Sequence, residues 1–318
     1  MGVLGRPRYV ALTALLLMPP SVLAELNTQE TFRFQSGFWT NLHHFLFQRA
    51  VEQPADDTTA STKLGPEEAK DWSMALAYYG EQFDGKDLLD RDMVVIKNAL
   101  ADTGSEPSLE STGLDGELVD ALETAAPVYR AVWWAAHDRS NRSRIERLIP
   151  LIARHEGRLR VRLAEIYGTE WPDTRIETDV VFHANWAGAY TTLYPTRVTI
   201  SSEDNGVPPL ESLETLFHEV SHALIDKVRT AISERTRSLG KLLPRKSLWH
   251  AVLFYSTGEI VRELAPGYTP YALKHRLWER AWPDHLGVLE SEWKPYLNGD
   301  REFEASIEAL VDRLAVDP

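Results

Sequence analysis

One β-rich stretch in an otherwise helical chain is the strongest constraint on how this sequence can fold. Residues 175–202 are dense in Val, Ile, Thr and Tyr, the types that suit a pleated, half-buried surface. Turn signals at Gly188 and Pro195 divide them, and the pattern predicts short strands at about 176–183, 188–193 and 197–202. Helical signals surround this stretch. A helix is expected from Gly37 to Gln53-Pro54, through the aromatic run of Phe38, Trp39, Phe45 and Phe47. Another opens at Pro66-Glu67-Glu68, where Pro and acids suit a first turn, and runs to Phe83. Further helices are expected at 87–101, 116–138 and 142–167, the last closed by Gly168. After the strands come 210–227, 247–264, 271–281, 285–297 and 302–315. The expected fold is therefore α+β and predominantly helical, with an N-terminal helical region at 25–170 and a second region at 171–318. Asp204-Asn205-Gly206 reads as a turn.

The first 24 residues read as a signal peptide. Arg6 and Arg8 precede a short apolar run, Val10 to Met18, which Pro19-Pro20 ends. Val22-Leu23-Ala24 suits a cleavage site after Ala24. A nine-residue run falls short of the ~20 apolar residues needed to span a bilayer. The expected product is secreted or periplasmic, with no membrane span after cleavage. The chain has 34 Lys+Arg against 47 Asp+Glu and a net charge of −13; losing Arg6 and Arg8 takes it to −15. That acidity argues against nucleic acid as a partner. The absence of cysteine excludes disulfide scaffolds, thiolate-held zinc and thiol nucleophiles.

The chemical information is concentrated in His218-Glu219-Val220-Ser221-His222. On a helix, residues four apart lie on one side, ~6 Å apart along the axis, so both imidazoles can hold one metal ion. The carboxylate beside the first His is then placed to take a proton from water acidified by that metal. Leu213, Leu216, Phe217, Val220 and Leu224 give the segment a buried side.

The motif resembles the active-site helix of the zincin metallopeptidases. That resemblance covers about 175–265 and implies a small sheet whose edge strand, here 188–193, binds peptide in extended form. It implies a Zn2+-dependent hydrolase with a peptide or protein substrate, Glu219 as general base, and His218 and His222 as ligands. A third ligand is required. Metzincins place a His six residues after the pair, but position 228 is Val. Gluzincins take a Glu from a later helix, and Glu259 fits best, with Glu263 one turn on as a partner for a ligand His; the alternative for Glu259 is a surface salt bridge with Arg262. Tyr255, one turn before Glu259, is either a stabiliser of the oxyanion or a core tyrosine; Tyr268, Tyr271 and His275 are the other choices for the oxyanion role. His250 is the rival third ligand. It stands nine residues from Glu259, ~13.5 Å along a continuous helix, so both cannot bind one ion. Glu203 and Asp204 are weaker choices.

Blander readings apply elsewhere. His43-His44 diverge by ~100° on a helix and suit packing better than chelation. His183 lines a cleft or packs. Arg139, Arg142, Arg144 and Arg147 read as a solvated face, and Trp278, Trp282 and Trp293 as core. A secreted scaffold that does not turn over, or an amidase acting on cell-wall peptides, are the alternative functions.

Overall fold

A four-stranded mixed sheet stands at the centre of a mostly helical protein. The computed structural model describes residues 31–52, 64–104, 106–204, 206–243 and 247–317. The expected signal peptide and its cleavage point lie outside them. The strands are β1 (Phe32–Gln35), β2 (Ile176–Val181), β3 (Ala189–Thr192) and β4 (Arg197–Ser201), in spatial order β1-β2-β4-β3. β1, β2 and β4 run parallel, and β3 pairs antiparallel with β4, with Tyr190 opposite Thr199. β3 is therefore an edge strand beside the helix that follows β4. The three strands expected between 176 and 202 are present. β1 is an addition, contributed by the aromatic run that begins the described chain.

Alternation along the strands sends neighbouring side chains into two separate cores. Val180, Val198, Ile200 and Ala189 face a core built with Phe32 and Phe34, Leu148, Ile152, Leu159 and Leu163, and the C-terminal helices. Val181 and Tyr190 face the other, built from Phe38, Trp39, Phe45, Trp72, Tyr79, Leu118 and Tyr129. The helices of this second core are α1 (Phe38–Phe47), α2 (Pro66–Phe83), α3 (Arg91–Thr103) and α4 (Gly116–Tyr129). A π-helical turn at Arg130–Trp134 leads into the long α5 (Ala135–Tyr167), which ends on left-handed Gly168. β1 and α5 both pack with the C-terminal half, so one hydrophobic core draws on residues from both sides of 168–174.

The C-terminal part contains α6 (Pro209–Ser221), α7 (Asp226–Leu239) and α8 (Leu248–Leu264). Four short helices follow, α9 (Tyr271–Lys274), α10 (Leu277–Arg280), α11 (His285–Val288) and α12 (Lys294–Leu297). The last helix is α13 (Phe303–Leu314). Trp278, Trp282 and Trp293 are buried, as expected. α6 ends earlier than its composition suggests. His222, Ala223 and Leu224 donate to carbonyls three residues back (Glu219, Val220, Ser221), which tightens the last turn and frees the chain to start α7. α8 crosses α6 at close range: a Cβ on Gly258 would lie 2.7 Å from Pro270 Cβ and 3.1 Å from Glu214 Oε1, so only glycine fits there. Among the described residues no helix is long and apolar enough to cross a membrane.

Candidate metal centre

α6 presents a row of polar side chains along a face that is otherwise buried. Leu213, Leu216, Phe217 and Val220 point into the core, while Glu211, Glu214, His218, Glu219 and His222 line a cleft of about 750 Å³. That volume suits a small ligand or a short peptide segment. The turn before β3 and its first residues, Trp186 to Thr191, also line the cleft, as do Trp249, His250, Phe254 and Tyr271.

At the base of this cleft three imidazoles converge. The His218, His222 and His250 ring centroids form a nearly equilateral triangle, with sides of 5.3, 5.1 and 5.1 Å. One nitrogen of each ring lies within 4.8 Å of the others. His218 Nε2 and His250 Nε2 are 3.1 Å apart, close to the ~3.3 Å edge of a tetrahedron with ~2.05 Å metal–nitrogen bonds. Burial pushes all three rings below the usual histidine range, to about 3 for His222 and about 4 for His250, and their neighbouring imidazoles push His218 and His222 further down. The rings are therefore neutral and carry free lone pairs, which is the form that binds metal. Neutral imidazoles facing one another cannot all be satisfied by shared protons, and the buried Nδ1 of His218 also lacks a hydrogen-bond partner. The donor set fits a divalent ion of borderline softness.

Aromatic side chains fix the ring planes. Trp249 stacks on His250 at 4.9 Å and meets His222 edge-on at 5.6 Å. Phe254 packs on His218 at 3.9 Å and on His250 at 4.9 Å. The Arg229 guanidinium lies over the Trp249 ring at 5.0 Å. Glu219 projects beside the triangle, with its Oε2 4.0 Å from His222 Nε2. Burial pushes the Glu219 carboxyl up to about 7, opposed by the Thr191 hydroxyl, which lies 2.8 Å from both its Oε2 and its backbone carbonyl. Thr191 belongs to edge strand β3, so the sheet holds the carboxylate in place.

The structure corrects two expected site residues. Glu259 is an ion-pair partner of Arg262 and of Lys294 Nζ, 3.4 Å away. α8 is continuous from His250 to Glu259, so the ~13.5 Å between them puts Glu259 beyond reach once His250 joins the pair. Among the described residues, the group that could hold a metal ion comprises His218, His222 and His250 and does not include Glu259. Tyr255 follows Glu259: its buried hydroxyl has no partner, its ring packs near Trp278, and it does not line the cleft. Glu263 is exposed. Of the other oxyanion choices, Tyr268 donates to Glu214 Oε2 at 2.7 Å and His275 pairs with Glu211 at 2.6 Å. Tyr271 does line the cleft, with its backbone N–H held by Glu214 at 2.9 Å and its ring stacked on Phe254. Glu214 has no role assigned from sequence, although it lies one turn before His218 on the same face.

The far end of the cleft carries His183, Glu203, Asp204 and Arg144. His183 is clamped between carboxylates, Nε2 to Glu52 at 2.6 Å and Nδ1 to Glu203 at 2.9 Å. Burial disfavours its charge, but hydrogen bonds to Glu203 and Glu52 outweigh this and hold its pKa at about 9. A folded pKa raised above the ordinary 6.5 stabilises the fold fully below about pH 6.5, and that contribution is lost as pH rises through about 9. Thermal melts of the parent should fall across this window, and His183→Gln should flatten the fall; equal slopes would remove the clamp from the account. Arg144 departs from the solvated face expected for the arginine cluster, being only 8% exposed.

Comparison with known proteins adds no relative: no family model, no curated protein and no solved structure matches this chain.

Proposed function

We propose that this chain is a secreted zinc-dependent hydrolase that cleaves peptide bonds. The observation that carries the reading is the His218–His222–His250 triangle with Glu219 at its side, open to a cleft walled by an edge strand. Three imidazoles and an open fourth position favour Zn2+, held by His218, His222 and His250. Zinc supplies, when bound, a Lewis acid that polarises a carbonyl and acidifies water. Glu219 takes the proton from the attacking water and delivers it to the leaving amine. The Thr191 hydroxyl aims the carboxylate. β3 pairs with an extended substrate through its main chain, and the Tyr271 hydroxyl is the cleft-lining donor for the developing oxyanion.

Metal content and hydrolysis test this together. The protein reloaded after chelation is expected to hold one zinc per chain and to degrade casein, with the activity lost on chelation and regained with zinc. A cell-wall amidase would degrade peptidoglycan and leave casein intact. Failure to retain stoichiometric zinc would leave only a scaffold.

A further inference from the structure

Among the described residues, basic side chains at or beside the cleft pair with carboxylates, but Arg144 does not. His183 sits between Glu52 and Glu203, and at the Glu211 side Lys274 and His275 both pair with that carboxylate. Arg144, in contrast, has no carboxylate within ion-pair distance among the described residues. Its three hydrogen bonds go to neutral acceptors: Nε and Nη2 to the Ser201 carbonyl at 3.2 and 3.1 Å, and Nη1 to the Ser212 hydroxyl at 2.6 Å. A guanidinium has five N–H donors, so two remain. The side chain is more than nine-tenths buried and lines the cleft. Asp204 and Glu211 are the acids whose charge it feels. Asp204 is exposed and accepts the Gly206 N–H, and Glu211 is engaged by Lys274 and His275.

A buried, unpaired charge is costly, and proteins normally match it. Here the bonds from Ser201 at the end of β4 and Ser212 on α6 fix the guanidinium plane while leaving two donors free. A planar, pre-oriented guanidinium is suited to a carboxylate. Ser212 precedes His218 by six residues, ~9 Å along the helix axis, so the anchor and the imidazole triangle belong to one cleft and are separated by the span of a few extended residues.

We infer that Arg144 anchors a carboxylate of the substrate, either a free C-terminus or an acidic side chain, within the same cleft. The assignment rests on the reading of this cleft as a peptide site, and it makes the substrates short or terminally cleaved acidic peptides.

The test is a binding measurement, independent of turnover. The full protein bearing Glu219→Gln is titrated calorimetrically with three probes: N-acetyl-Ala-Ala-Ala as the free acid, the same peptide as its amide, and N-acetyl-Ala-Glu-Ala amide. At least one carboxylate-bearing probe should bind tenfold or more tightly than trialanine amide, and which one does identifies the source of the carboxylate. Arg144→Gln should abolish that preference and leave amide binding unchanged. Equal binding of all three, including no binding of any, overturns the assignment without recourse to the variant, as does a preference that survives Arg144→Gln. The preference can hold where zinc-dependent hydrolysis fails. Conversely, a zinc peptidase that ignores the carboxylate refutes the anchor alone.

Discussion

Replacing His250 with alanine is expected to strip the protein of stoichiometric zinc, while Glu259→Gln leaves zinc in place. His250 completes the only group of three metal-ligating side chains that the described residues bring together, and His218 and His222 alone leave a divalent ion two ligands short of a closed tetrahedron. Loss of an outer-shell partner typically costs 10–100-fold in affinity, so removal of a direct ligand should exceed roughly 100-fold. Glu259 makes ion pairs with Arg262 and Lys294, both substantially exposed cations, and pairs of that kind contribute at most about 1 kcal/mol. Its variant should therefore melt slightly earlier and bind zinc normally. A chelator competition titration measures both. If His250→Ala binds as tightly as the parent, or Glu259→Gln loses the metal, the ligand set is wrong.

The difference between these two residues marks where the sequence stops being informative. His218 and His222 are legible because an i, i+4 pair on a helix is a local property. Whether His250 or Glu259 joins them depends on how α8 crosses α6, which rests on the Gly258–Pro270–Glu214 contact. Helical arithmetic shows that the two are mutually exclusive, but it does not choose. The same divide runs through the fold. The strands at 176–202 announce themselves by composition, whereas β1 is four residues long within a run of aromatics that equally suits a helix. α7 is missed because only Val228 and Ile232 of its fourteen residues are buried, too few for a periodic signal. The end of α6 has no Gly or Pro to mark it. Arg144 lies among arginines that are solvated on a generic helix; its burial comes from α5 packing against the end of β4 and the start of α6, contacts more than fifty residues away in sequence.

Glu219→Gln should abolish peptide hydrolysis while zinc remains bound at one per chain. The substitution keeps the side chain's volume, and a Gln oxygen can still accept the Thr191 hydroxyl that the carboxylate accepts at 2.8 Å. None of the three imidazoles is touched. What is lost is the proton acceptor, and general-base catalysis by a positioned side chain is typically worth 10²–10⁴-fold. The residue sits at 7% exposure, so little bulk water is available to stand in for it, and the loss should fall at the upper end of that range, in kcat with little change in KM. Because a neutral amide replaces a carboxylate that burial disfavours, the variant should fold at least as well as the parent, which separates lost chemistry from lost structure. Retention of more than a tenth of the parental kcat with zinc bound would show that Glu219 is not the base. The cleft would then have to draw its proton acceptor from Glu214, whose carboxyl burial also pushes up to about 7 and whose Oε1 has no hydrogen-bond partner.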